Sequence, residues 1–298
     1  MNNYNVIASA LNVRTTPSSF NSGNIISRLK NQEEVIVTDA TIADWYKIKT
    51  TQRNPAIEGY VSSKYLQEIT STSADSIGYL APVNLPSNPK SRRNNHDGFP
   101  FPLSEPDMPG MRNTTDVVSR INTMHQIVNY LSVDTSERYK RDDHTYCNIY
   151  AYDYTYLCGV FLPRVWWTDK SLIELKAGKT LLPKYEITVD EMSANSLFDW
   201  LEMWGGDFGW TRTYDLDELQ NKINEGKVGV ISGHNINPRN SGHICCVLPE
   251  KDNLVATRVG GKVTCPLLSQ AGARNLRYYN NNRWWFLKQI KEFGFWYL

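Results

Sequence analysis

Five cysteines and five histidines are the residues in this chain best suited to nucleophilic chemistry. Cys147 stands apart, because "RDDHTYCNIYAYDYTYLCG" (141 to 159) reads as a short helix with Thr145 as N-cap, Cys147 in the first turn and Gly159 at the C-terminal end. A thiol reacts as thiolate, and an ordinary cysteine, with a pKa of about 8.5, is mostly protonated at neutral pH. Unpaired N–H groups at a helix start favour the thiolate, and a nearby imidazolium adds to the effect. Cys147 therefore calls for a histidine. Against this stands the plain alternative that a free cysteine is a buried small hydrophobe, which is how Cys158, Cys245, Cys246 and Cys265 read. The five form no C-x-x-C pair, so neither a zinc knuckle nor a disulfide framework is indicated.

His243 is the first choice of base. "NSGHICCVLPE" sets it at the start of an apolar strand, directly after a Ser-Gly turn. Alternation then puts His243, Cys245 and Val247 on one face and Ile244, Cys246 and Leu248 on the other. His234, in "ISGHNINPRNSGH", is the second choice. His144 reads as a residue leading into the Cys147 helix, His125 as a structural residue within a helix, and His96 lies in a proline-rich stretch.

The elements that must position these residues fall into three regions. Residues 1–70 contain short β-rich runs parted by Asn, Ser, Gly and Pro, the pattern of a small barrel. Residues 71–112 hold "APVNLPSNPKSRRNNHDGFPFPLSEPDMPG", with seven of the 14 prolines, and read as a linker partly laid against a domain surface. From 113 to 298 the elements lengthen. Helices are expected in "TTDVVSRINTMHQIVNYLSV", around Cys147, in "SANSLFDWLEMWG" and in "DLDELQNKINEG". Strand-like runs follow: "KVGVISGH", "GHICCVLPE", "LVATRV", "KVTCPLLSQAG" and "FGFWYL". Helices followed by an antiparallel sheet make an α+β domain. This region carries eight of the nine tryptophans, and a polypeptide starting near 108 is expected to fold without the N-terminal part.

The first region resembles bacterial SH3-like domains, in "LNVRTTPS" (11 to 18), "WYKIK" (45 to 49) and "GYVSSKYL" (59 to 66). The resemblance implies binding to cell-wall peptides or packing onto a catalytic partner. Residues 113–298 resemble the papain-like peptidoglycan hydrolases, the CHAP and NlpC group of cysteine amidases and endopeptidases. The residues that carry this are the "TYCN" helix start, "SGHICCVLPE" and "LSQAGARN". It implies a papain-like cysteine hydrolase domain in which Cys147 attacks an amide carbonyl, His243 moves the proton and a polar residue orients the ring. Gln270 in "LSQAG" is the favoured third residue, with Glu250 as alternative. The backbone N–H of Cys147, with Tyr139 beside it, is expected to meet the oxyanion.

Such chemistry needs neither metal nor organic cofactor. The expected partner is peptidoglycan or its muropeptides, with an immunity protein or delivery machine as a further possibility. A formal net charge of +1 makes no broad electrostatic case for nucleic acid or an anionic membrane. The beginning, "MNNYNVIASALNVRTTPSS", has neither basic flank nor continuous apolar core. A standard signal peptide is therefore not expected, and action at the wall or periplasm implies release by lysis or a non-standard route. Two other readings stay open: a catalytically inactive wall-binding adaptor, and a cysteine protease or transferase toxin acting on a protein. Bond specificity is assigned to the loops "FLPRVWWTDKS" and "NNNRWWFLKQ".

Overall fold

The computed structural model describes residues 2–298 except 9, 20–22, 32, 52, 54, 69–80, 97–98, 112–113 and 115. The chain separates into two compact units, Met1–Gly78 and Tyr79–Leu298.

The first unit is built from β1 (Asn2–Val6), β2 (Ala10–Arg14), β3 (Ile25–Lys30), β4 (Glu34–Ile42), β5 (Trp45–Thr50), β6 (Glu58–Ser62) and β7 (Leu66–Glu68). They form one sheet in the order β3-β2-β6-β5-β4-β1-β7, with every pairing antiparallel. Period-two alternation buries Leu11 and Val13 from β2, Ile48 from β5 and Val61 from β6 in a small core with Val6, Leu29 and Val35. β2 and β6 approach so closely that a Cβ on Gly59 would lie 2.6 Å from Val13 Cγ1.

The second unit mixes helix and sheet. Its helices are α1 (Val117–Leu131), α2 (Cys147–Leu157), α3 (Asp169–Lys176), α4 (Ala194–Met203) and α5 (Leu216–Asn224). Among the described residues, no helix is long and apolar enough to cross a membrane. Two short strand pairs stand outside the main sheet: β8 (Val165–Trp167) with β9 (Val189–Glu191), and β13 (Thr257–Val259) with β14 (Lys262–Cys265). The main sheet joins β10 (Thr211–Thr213), β11 (Gly229–Asn235), β12 (His243–Val247), β15 (Leu268–Gln270), β16 (Leu276–Tyr279) and β17 (Ile290–Tyr297). Its order is β10-β17-β11-β12-β15-β16, antiparallel throughout. α2 packs on β12 and α4 on β11, so the helix carrying Cys147 lies against the strand that begins with His243.

The proline-rich stretch is irregular, as its prolines require, but it is not a linker between domains. Val83, Leu85, Leu103 and Met111 are buried in the same core as α1 and α2. Its carbonyls satisfy two arginines that have almost no exposed surface: Phe99 O accepts from Arg164 Nε at 2.6 Å and Phe101 O from Arg138 Nη2 at 3.2 Å. A run poor in N–H donors still offers acceptors, and buried guanidinium groups need them. The second unit thus begins at 79 rather than 113, and a polypeptide starting near 108 would lack part of its own core.

Candidate active site

Cys147 is the first residue of α2 and is 1% exposed. The cap is Tyr146, not the expected Thr145, and its side chain makes no capping hydrogen bond. That side chain turns away: its hydroxyl lies 2.8 Å from Asp142 Oδ2 and 2.9 Å from His96 Nε2. The first N–H groups of α2 have no intrahelical partner, as at any helix start.

His243 opens β12 and is partly exposed. Gly242 before it is sterically required, because a Cβ there would lie 2.2 Å from Gly233 O and 2.5 Å from Asn195 Oδ1. Cys246 pairs with Ser269 across β12 and β15, which brings Gln270 to the face of Cys245 and His243. There Gln270 Oε1 lies 2.9 Å from His243 Nε2. The amide orientation follows from its neighbours, since Gln270 Nε2 donates to Arg274 O at 3.2 Å while Tyr279 Oη donates to Oε1 at 2.6 Å. His243 Nε2 is therefore the protonated nitrogen toward Gln270, leaving Nδ1 for the thiol.

The thiol of Cys147 and the ring of His243 lie close enough for each to stabilise the charged form of the other. Burial alone would push the thiol up and the imidazole down. Their mutual attraction outweighs it, so the Cys147 pKa falls below the ordinary thiol value and that of His243 rises, helped by Gln270. Backbone N–H groups of Ile244 and Asn148 also favour the thiolate. The other cysteines behave oppositely: burial pushes Cys265 up to about 11 and Cys245 to about 12, and raises Cys158 and Cys246 as well. All five are free, and only Cys147 is tuned toward ionisation.

The remaining expected site residues fall elsewhere. Tyr139 is fully buried, and its hydroxyl donates to Asp153 Oδ2 at 2.9 Å beside the Arg138 ion pair. It is a core residue and offers the oxyanion nothing. Glu250 is held by both Arg258 Nη atoms at 2.6 and 2.7 Å, by Asn224 Nδ2 and by the N–H of Ala256. The carboxylate is therefore spent on pinning the β13 region, not on His243. His144 is exposed in a loop. His125 is buried with Nε2 on Pro249 O, and the His234 ring sits near Asp199, 3.8 Å away. Among the described residues, no cluster of three or more His, Cys, Asp or Glu is arranged to hold a metal ion.

One contributor was missed. Trp284 packs edge-on against His243, with ring centroids 4.5 Å apart, and is buried together with Trp285. "NNNRWWFLKQ" thus supplies a wall for the His243 ring as well as loop, and the signal was its paired tryptophans, whose size favours burial.

Residues 9–67 match the bacterial SH3 domain family, which covers β2 to most of β7 and accounts for the first unit. No curated protein matches the chain.

Proposed function

We propose that the second unit is a papain-like cysteine amidase or endopeptidase that cuts amide bonds of peptidoglycan stem peptides. The observation that carries the reading is the ordered contact of Cys147 at a helix start, His243 at a strand start and Gln270 on the next strand of the sheet. In this mechanism the Cys147 thiolate attacks the carbonyl carbon. The oxyanion is met by the Cys147 backbone N–H at the positive end of α2, and the imidazolium gives its Nδ1 proton to the leaving amine. Water, deprotonated by His243, then releases the acyl group and restores the thiol. Gln270 fixes the ring's tautomer without adding charge.

The wall as substrate is supported by the bacterial SH3 domain at residues 9–67, a type of domain that often binds cell walls. The test is digestion of purified peptidoglycan, with released fragments identified by mass, by the full chain and by Cys147→Ala. Cleavage of a protein substrate with intact peptidoglycan untouched would favour the toxin reading.

A further inference from the structure

A cleft of about 350 Å³ adjoins the histidine side of the site, lined by residues 134–137, Lys140 and Arg141 on one side and by Gly272, Ala273 and Asn275 on the other. Its link to the site is Gly272: a Cβ on this residue would lie 3.1 Å from His243 Cε1, so one residue of the cleft lining stands directly beside the ring, which does not itself line the cleft.

The charges in the cleft are not equivalent. Asp134 is paired with Arg277 at 2.6 Å, and Glu137 with Lys140 at 3.1 Å. Arg141 is exposed and has no carboxylate partner among the described residues; its one hydrogen bond is a long 3.4 Å contact to Ala273 O. Asn275 cannot serve as a ligand donor, since both its amide ends are taken: Nδ2 by Val133 O and Tyr139 O, and Oδ1 by the Gly272 N–H. A guanidinium with open donors in a cleft otherwise neutralised internally suits a planar anion held by two parallel hydrogen bonds.

We infer that this cleft is a carboxylate-binding subsite beside His243, with Arg141 as the specificity-determining residue that selects substrates bearing a free carboxylate next to the scissile amide. Stem peptides carry such groups, so the inference rests on the proposed hydrolase reading for its substrate, but not for the anion chemistry.

The experiment has two arms, each comparing a stem tetrapeptide having free carboxylates with its fully amidated counterpart. In the first, kcat/KM is measured for the full chain and for Arg141→Gln. The acid is expected to be cut at least 10-fold faster than the amide by the natural chain, and that preference is expected to fall to near unity in the variant. In the second arm, the same peptides protect Cys147 from iodoacetamide, with alkylation at Cys147 read by mass. Protection by the acid alone, lost in Arg141→Gln, upholds the subsite even if neither peptide is cut, and that combination would sink the hydrolase reading instead. Equal handling of acid and amide, or a preference that survives in Arg141→Gln, overturns the inference.

Discussion

The amide oxygen of Gln270 lies 2.9 Å from Nε2 of His243, and everything around the glutamine fixes which atom points there. Arg274 O takes the amide N–H and the Tyr279 hydroxyl takes the second lone pair. The ring is therefore oriented by a neutral acceptor, and stabilisation of the imidazolium falls to the thiolate. Gln270→Ala should lower turnover by about 10- to 1000-fold, roughly 1.4–4 kcal/mol of transition-state stabilisation, with little change in KM. Steady-state cleavage of a stem-peptide fragment checks this. A variant with normal kcat would remove Gln270 from the site.

The depressed thiol predicts a pH profile. Cys147 pKa is lowered by the His243 ring against the upward push of burial, so the thiolate persists below the ordinary thiol range and disappears as pH falls through the lowered value. In His243→Ala only burial and the backbone N–H groups remain, and the alkylation profile with iodoacetamide should move to higher pH. An unchanged profile in that variant would mean that the ring does not tune the thiol.

Glu250 gives a stability prediction of the opposite kind. Its bonds to Arg258, working against burial, hold its pKa down at about 2, below the unfolded carboxylate value of about 4.3. The stabilisation is thus present above about pH 4.3 and is lost as pH falls toward 2. Glu250→Gln should leave turnover nearly unchanged at neutral pH while lowering the melting temperature there, and the gap should close on acidification. Thermal melts from pH 7 to 2.5, beside a turnover assay, test both halves. A large loss of turnover would return Glu250 to the site.

The proline-rich stretch predicts where the second unit can be cut. A polypeptide of residues 79–298 should unfold cooperatively and retain Cys147 reactivity. One beginning at 108 would leave Arg138 and Arg164 without the Phe101 and Phe99 carbonyls and the core without Val83, Leu85 and Leu103. Removing partners from buried charged donors is strongly destabilising. Circular dichroism melts of the two polypeptides decide this, and equal cooperativity would show the strap to be dispensable.

Much of the site was legible in the sequence because it depends on local signals. A cysteine after a turn, a histidine after Ser-Gly and a glutamine in a short apolar run each sit at the end of an element, and ends are where side chains from different elements meet. α1, α2, α4 and α5 stood out by their apolar patterning. By contrast α3 buries only Ser171 and exposes Ile173, so it has no apolar face to read, although Thr168 caps it. β8, β9, β10 and β16 are three or four residues long, too short for alternation alone to register, whereas the equally short β13, β14 and β15 stood out through the longer strand-like runs that contain them. The role of the proline-rich stretch was hidden because it rests on two arginines distant in sequence, Arg138 and Arg164. Nothing in "ERYK" or "LPRV" reveals that their guanidinium groups are buried. Tyr139 was misplaced for the same reason: its nearness to Cys147 in sequence concealed its commitment to Asp153.

In the proposed reaction Cys147 forms a covalent bond to the carbonyl carbon of a wall amide. The most direct measurement is rapid-quench mass spectrometry of the intact chain mixed with purified muropeptides, followed by localisation of the added mass. A transient acyl adduct on Cys147 that forms and decays with product release, and is absent in Cys147→Ala, is the predicted result. Muropeptide cleavage continuing in Cys147→Ala would contradict the account.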